Sequence, residues 1–290
     1  MISIIISSYN DKFFTSLSCN IKKTIGVPYE IIKIDNPGLM GLTQAYNKGA
    51  SSASFSILLF IHEDIEFVTQ NWGIKIIETL KKTNCGLLGI AGSTYKSKMI
   101  SGWYQINSDN KEVNRFNYIQ EFKYSIEETC KKLSNPLDEE ISKVVALDGV
   151  FLAVNKYIWD EIKFDENLKN FHAYDLDYSL SVGEKYDNYV IYNVLIKHFS
   201  EGYTNKQWLL DTLYINKKHC IQLPKSTSYI DSALKKKIEL NNYLYIIFII
   251  KSVVKNKIDR VHLINYLQKF RTFKWDTRQI YRSLRCLLDN

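Results

Sequence analysis

The feature that most constrains this chain is an alternation of short, β-branched apolar runs with segments of helical spacing. "ISIIIS" (2–7), "YEIIKID" (29–35), "SFSILLFIH" (54–62) and "CGLLGIAGS" (85–93) are the apolar runs. Between them lie "FFTSLSCNIKKTI" (13–25), with Phe13, Leu17, Ile21 and Ile25 at intervals of four, then "GLTQAYNKGASSA" (41–53) and "NWGIKIIETLKKT" (71–83). Strand-length runs alternating with helices at this spacing predict βαβ units, and hence an α/β fold with a mostly parallel sheet flanked by helices. In such sheets ligands bind beyond the carboxyl ends of the strands. Ser8-Tyr9, Asp35-Asn36 and His62-Glu63-Asp64 each fall at such an end.

The third of these ends poses a problem. "LLFIHEDIEF" (58–67) runs from a buried-strand pattern straight into His62, Glu63, Asp64 and Glu66. Clustered acids at the mouth of a buried strand repel one another and lose solvation. A divalent cation with a polyanionic ligand would offset that cost, since Mg²⁺ or Mn²⁺ prefers carboxylate oxygens and accepts imidazole. Asp64 is then a metal ligand and His198, at a later strand end, a second. The plainer alternative makes His62 and Glu63 solvated turn residues and His198 a satisfied strand-end histidine.

Residues 94–143 are polar and irregular, with a charged helical stretch near 119–133, and read as an insertion or a flap. Strand character returns over 142–159 around Asp148-Gly149. "NFHAYDLDYSLSVGEKY" (170–186) reads as a helix start capped by Asp175. Residues 188–203 read as a strand leading into His198. Trp103 and Tyr104 either stack on a ligand ring or pack beneath the flap.

From about Asn205 only helical patterns appear. The apolar run Tyr243 to Ile250 is eight residues long, against roughly 20 for a membrane span. Arg278, Arg282 and Arg285 share one helical face and Ile280, Leu284 and Leu287 the other. Residues 226–290 hold 13 Lys+Arg and 5 Asp+Glu, so the net +7 of the whole chain resides in this tail. A basic tail on a body that is otherwise balanced, with 25 Lys+Arg against 26 Asp+Glu, argues against nucleic acid as a partner. It suits either peripheral contact with anionic lipid or a solvated face on a helical bundle or homodimer. The five scattered cysteines lack any Cys-x-x-Cys pair and read as reduced packing residues. With a start, "MISIIISSYN", that lacks a basic signal-peptide region, they predict a cytoplasmic protein.

The order strand–Ser-Tyr-Asn, strand–Asp-Asn, Gly-x-x-x-Ala-x-Asn-x-Gly, strand–x-x-Asp, Asp-Gly and Tyr-Asp-x-Asp resembles the family-2 glycosyltransferases of GT-A fold. "FIHEDIEF", "HAYDLDYSLS" and "KHFSEGY" are similar to the branch found among bacterial surface-polysaccharide genes. The likeness covers about residues 2–203, so it implies a GT-A domain over 1–204 and a helical, basic extension over 205–290.

The resemblance implies the following roles. Ser7, Ser8 and Tyr9 line a base pocket, with Asp35 and Asn36 beside the base or ribose, and Asn47 belongs to the same nucleotide-binding set. His62-Glu63-Asp64 stands where the family has its Asp-x-Asp metal motif, with His62 replacing the first Asp, and His198 completes the metal shell. Glu63, Trp103, Asp148 and Gly149 border donor and acceptor. Asp175 is the general base, supported by Asp177, with Tyr174 where the family usually has Glu. The implied reaction is Mn²⁺- or Mg²⁺-dependent transfer of a hexose from a nucleotide sugar, UDP-linked by preference, to a saccharide or lipid-linked acceptor with inversion. Three other readings use the same residues. A nucleotidyltransferase would want a Gly-rich loop after the first strand, which "SSYNDKFF" lacks. A metal-dependent hydrolase would use His62, Asp64, His172 and His198. A catalytically silent scaffold would act through the helical tail.

Overall fold

The computed structural model describes residues 1–82, 84–106, 112–122, 128–200 and 202–270. Its first half contains β1 (Ile2–Ser8), α1 (Asp11–Thr24), β2 (Tyr29–Asp35), α2 (Leu42–Ser51), β3 (Ile57–Ile61), β4 (Ile65–Phe67), α3 (Trp72–Lys82) and β5 (Cys85–Gly89). Five short strands follow: β6 (Ala91–Ser93), β7 (Tyr95–Lys96), β8 (Asn114–Gln120), β9 (Cys130–Ser134) and β10 (Ile141–Val144). Then come β11 (Ala146–Leu147), β12 (Phe151–Asn155), α4 (Lys156–Glu161), α5 (Tyr174–Val182), β13 (Asp187–Ile191) and β14 (Ile196–His198). The chain continues through α6 (Lys206–Lys218), β15 (Lys225–Ser226), α7 (Ser232–Val253) and α8 (Lys257–Leu267).

The main sheet has the order β10-β13-β5-β12-β3-β1-β2. β2, β1, β3, β5 and β13 run one way, and β12 and β10 run against them. β1 and β3 are apolar on both faces because helices cover both. Leu58 and Phe60 point into one core layer with Ile5, while Ile57, Leu59 and Ile61 join Ile4 and Ile6 in the other. This is the period-two alternation of a strand with two dry faces. Helix α2 lies close on this sheet. A Cβ on Gly49 would come within 2.4 Å of Ile5 Cγ2, so only glycine permits that approach.

A second sheet, β11-β6-β8-β14-β4 with β9 paired to β8, rises beyond the strand ends. Two of its strands, β8 and β9, come from the segment expected to be an irregular flap. The charged helix expected near 119–133 is absent among the described residues of that stretch, where β8 pairs antiparallel with β9 from Phe116↔Ser134 to Gln120↔Cys130. Asn114, Arg115, Asn117 and Gln120 are buried on β8, so the usual apolar alternation is missing from its sequence. Two other expected strands each divide between the sheets: 85–93 becomes β5 and β6, and 188–203 contributes β13 and β14.

The helices after residue 204 pack back on the sheet domain. Ile215 and Leu223 sit in the same core layer as Phe60, and β15 pairs with β7. Helix α7 forms a further core with Met99, Ile100, Leu209 and Leu213. No helix among the described residues is long and apolar enough to cross a membrane. The Arg278, Arg282 and Arg285 face lies outside the described residues.

Candidate active site

Two registers bring distant residues to one edge of the main sheet. Ser8 pairs with Asp35 and Ile6 with Ile61, so the ends of β1, β2 and β3 lie level. Past Ile61 the chain turns into β4, which pairs antiparallel with β14 so that Ile65 faces His198. Phe199 N donates to Asp64 O at 3.0 Å, which seats Asp64 beside His198. The three ligand-type atoms of His62, Asp64 and His198 lie within 4.8 Å of one another. Asp64 Oδ1 is 4.0 Å from His62 Nδ1 and 3.9 Å from His198 Nε2. These gaps are too long for hydrogen bonds. They suit ligands sharing a cation, because two donors each about 2.1 Å from an ion stand roughly 3–4 Å apart. A set of two imidazoles and one carboxylate suits a divalent transition ion better than Mg²⁺, which favours an all-oxygen shell.

The other acids of "LLFIHEDIEF" have separate employment. Glu63 is buried and turned inward, where Oε1 accepts from the backbone N–H groups of Tyr9 and Asn10 at 3.2 and 3.1 Å. It anchors the turn after β1. Glu66, on β4, sits 3.8 Å from Lys197.

Two cavities meet at this edge. The first, about 530 Å³, is lined by Ser7, Tyr9, Asn36, Pro37, Gly38, Leu42, Tyr46, His62, Glu63, Asp64 and Phe171. The second, about 550 Å³, includes Trp103, Tyr104, Asp148, Gly149, His172, Tyr174 and Asp175. His62 and Phe171 belong to both walls. His172, a ligand in the hydrolase reading, lies in the second cavity and outside the three-residue cluster.

Asp175 and Asp148 both line the second cavity. His62 N donates to Val150 O, which sets the 148–150 turn against β3. Asp148 Oδ1 accepts from Val150 N at 2.8 Å, and Asp175 Oδ2 accepts from Gly149 N at 3.2 Å. Desolvation, reinforced by the Asp148 charge, pushes the Asp175 carboxyl up to about 7. Gly149 is required by packing: a Cβ there would lie 2.0 Å from the Tyr174 hydroxyl.

Asp175 is not the helix cap that the sequence suggests. The N-cap of α5 is Ala173, in the left-handed region at φ 60° and without a side-chain cap. Asp175 stands inside the first turn, where Oδ1 accepts from Leu176 N at 2.9 Å. Beside it, Tyr174 is buried with its hydroxyl 2.8 Å from His62 Nε2, and its ring lies edge-on to Tyr46 at 5.8 Å. The sequence marks Tyr174 only as a substitute for an acid; its service to His62 depends on the start of α5 lying beside the turn that follows β3.

Three expected site residues are engaged elsewhere. Asp177 is turned to the opposite side of α5, as a spacing of two along a helix demands. It is buried against α6, 2.9 Å from Lys218 Nζ and 2.7 Å from His219 Nε2. Asn47 is a clamp beneath α2: its amide donates to Phe164 O and Glu166, and its carbonyl accepts from Trp159 Nε1 and Phe164 N. Asp35 is exposed and paired with Lys33 at 2.6 Å, outside both cavity walls. Ser8 is buried behind the first cavity. Asn36 reaches the cavity but is tied up in its own turn, accepting from Leu39 N and Met40 N and donating to Ser7 Oγ and Met40 O.

The large mixed sheet flanked by helices is similar to the GT-A fold of glycosyltransferases. The model of a family described as "Glycosyltransferase like family" matches residues 3–243, and the chain belongs to that family. No curated protein matches the sequence. Among solved structures, GalNAc-T7 with UDP, GalNAc and Mn²⁺ is 13% identical with a TM-score of 0.52, over 83% of this chain and 54% of that one. This chain therefore spans about half the length of that structure. S. aureus TarS 1-349 in complex with UDP is 12% identical over 93% and 87% of the two chains, with a TM-score of 0.46.

Proposed function

We propose that this chain is a glycosyltransferase that moves a hexose from a UDP-sugar to an acceptor hydroxyl with inversion of the anomeric centre. The observation that carries this reading is the placement of His62 and Asp64 in the wall of one cavity, with His198 clustered beside them, while Asp175 borders the adjoining one. A donor in the first cavity and an acceptor in the second would meet at the shared His62 wall. GalNAc-T7 is described with UDP and Mn²⁺, which supports the same pairing of nucleotide and ion here.

In this reading Tyr9 and Ser7 border the base and ribose, while the diphosphate lies toward Asp64. His62, Asp64 and His198 hold Mn²⁺, which when bound supplies positive charge to the leaving diphosphate. If His62 carries its proton on Nε2 and donates it to the Tyr174 oxygen, the Nδ1 lone pair faces Asp64, the tautomer a ligand needs. Asp175 takes the proton of the acceptor hydroxyl. Its raised pKa suits a base working near neutrality, better than an ordinary carboxylate would be. One base opposite the leaving group supports single displacement and therefore inversion.

Residues 1–204 then carry the donor chemistry, and the basic extension from 205 serves the acceptor side. The motif resemblance supports a place in bacterial surface-polysaccharide synthesis in the cytoplasm. The basic tail suits contact with the inner membrane face or with a second copy of the chain.

The test is UDP titration with and without Mn²⁺. Asp64→Asn should abolish the Mn²⁺-dependent part of UDP affinity while leaving the thermal melt in place. Unchanged UDP affinity in that variant removes the metal-site reading.

A further inference from the structure

The second cavity has a lining that selects chemistry. Trp103, Tyr104, Phe171, Tyr203, Trp208 and Tyr245 supply aromatic surface, and Asp148 and Asp175 supply two carboxylates. Among the described residues that line it there is no Lys or Arg. His172 adds no lasting positive charge, because burial holds its imidazole toward the neutral form against the opposing pull of Asp211. Two of the aromatic walls come from the C-terminal helices, Trp208 from α6 and Tyr245 from α7.

We infer that this cavity binds an uncharged sugar ring, and that Trp208 and Tyr245 are specificity-determining residues supplied by the C-terminal helices. The inference rests on the glycosyltransferase reading for its role as an acceptor site, though not for its ligand chemistry. A sugar ring presents apolar C–H faces to indole and phenol rings, and hydroxyls that donate to carboxylates. An alkyl chain would desolvate Asp148 and Asp175 without giving them partners. A uronate or sugar phosphate would bring a further negative charge beside Asp148 and Asp175, with no Lys or Arg among the described residues of the wall to offset it. At a few ångströms in a medium less polar than water, that repulsion weakens binding by more than about tenfold.

The wall is built in advance by buried polar side chains of α7. Asn242 Nδ2 donates to Gln105 Oε1 at 3.0 Å, and Gln105 Nε2 in turn donates to the carbonyls of Gly102 and Trp103, both at 3.1 Å. Glu239 Oε1 accepts from the Tyr95 hydroxyl at 2.7 Å and from Lys98 N at 3.1 Å. Asn242, Gln105 and Glu239 are fully buried. This buried network fixes the segment that carries Trp103. Asn242 is therefore a positioning residue, acting through Gln105.

The test is saturation-transfer NMR on the full chain with two pairs of ligands: methyl glucoside against methyl glucuronide, and methyl galactoside against methyl galacturonide. A neutral glycoside should take up saturation and its uronide should bind at least about tenfold more weakly. Trp208→Ala and Tyr245→Leu should each weaken the glycoside several-fold while UDP affinity with Mn²⁺ stays unchanged. Asn242→Leu should do the same with Trp208 and Tyr245 intact. A circular-dichroism melt shows which variants are folded, and Tyr245→Leu keeps the test alive if Trp208→Ala is not. Uronides binding as tightly as the glycosides, glycoside binding that survives in the folded variants, or no saturation of either neutral glycoside overturns the inference. UDP titration reads the other cavity. Loss of UDP binding in the wild type sinks the glycosyltransferase reading and leaves the sugar-ring result standing by itself.

Discussion

The two cavities are made in different ways. The first is the work of neighbours: Ser7 stands next to the end of β1, and Tyr9, Asn36 and His62 to Asp64 follow directly on the parallel strands β1, β2 and β3, whose ends the sheet aligns. The second is assembled from segments far apart in sequence, the 102–106 and 148–149 turns, the start of α5, and α6 and α7. A site on aligned strand ends inherits its geometry from the sheet. A site gathered from loops and added helices needs its own fastenings, and these are the buried Asn242–Gln105 and Asp177–His219 contacts. Damage to the fastenings should therefore leave the first cavity working and impair the second.

The largest effect should come from a residue at the junction of the two. Asp175→Asn keeps the shape but leaves no base, so transfer should fall by about 10²–10⁴-fold with UDP affinity unchanged. In the wild type the rate of transfer should rise with pH through about 7, as the Asp175 carboxyl ionises. Its folded-state pKa lies above the ordinary carboxylate value, so the native state holds that proton longer than the unfolded chain. The contribution to stability is then greatest below pH 3.8 and is lost as pH rises toward about 7. Asp175→Asn should flatten that slope, seen as a smaller difference in Tm between pH 4 and pH 8. A variant that retains near-normal transfer would move the base to Asp148.

The contrast also explains what the sequence could reveal. β1, β2, β3 and the helices α1 to α3 follow plain periods of two and about 3.6, and each stands within a few residues of its expected place. His62 and Asp64 are conspicuous because acids rarely follow a buried run. That Asp64 meets His198 follows from the β4–β14 register, which no local pattern encodes. The strands β8 and β9 were hidden for a different reason. Their buried positions include Asn114, Arg115 and Asn117, so the helical charge pattern nearby was the stronger signal. Asn47 and Asp177 look like site residues in sequence because polar groups in motif order suggest ligands. Both are instead satisfied inside the protein, by Trp159 and Phe164 in one case and by Lys218 and His219 in the other.

Asp177 gives the second test. Replacing it by Ala leaves the His219 imidazole buried without its carboxylate and frees Lys218 from one of its two partners. Removing one member of a buried ionic contact costs about 3 kcal/mol. The Tm should fall accordingly and the docking of α6 should loosen, which carries Trp208 away from the second cavity. Where the variant is still folded, UDP should bind with its normal affinity. Equal losses on the two sides would show that the cavities are not separately fastened.

The smallest effect should come from Tyr174→Phe, which removes one oxygen. Its ring would stay packed against Tyr46 and below Gly149, so stability should change by less than about 1.5 kcal/mol. The 2.8 Å contact to His62 Nε2 would go. A metal-ligating histidine depends on the partner of its second nitrogen for tautomer and ring orientation, and losing that partner weakens the metal by about 10–100-fold. The lower figure is expected here, because Asp64 and His198 remain. Mn²⁺ affinity, read by electron paramagnetic resonance of the free ion, should fall about tenfold, with UDP affinity in the absence of metal unchanged. Because Tyr174 borders the second cavity while His62 borders both, this substitution measures how far the two halves of the site communicate. An unaltered Mn²⁺ affinity would mean that His62 is held by the sheet alone, and that the cavities share a wall without sharing a function.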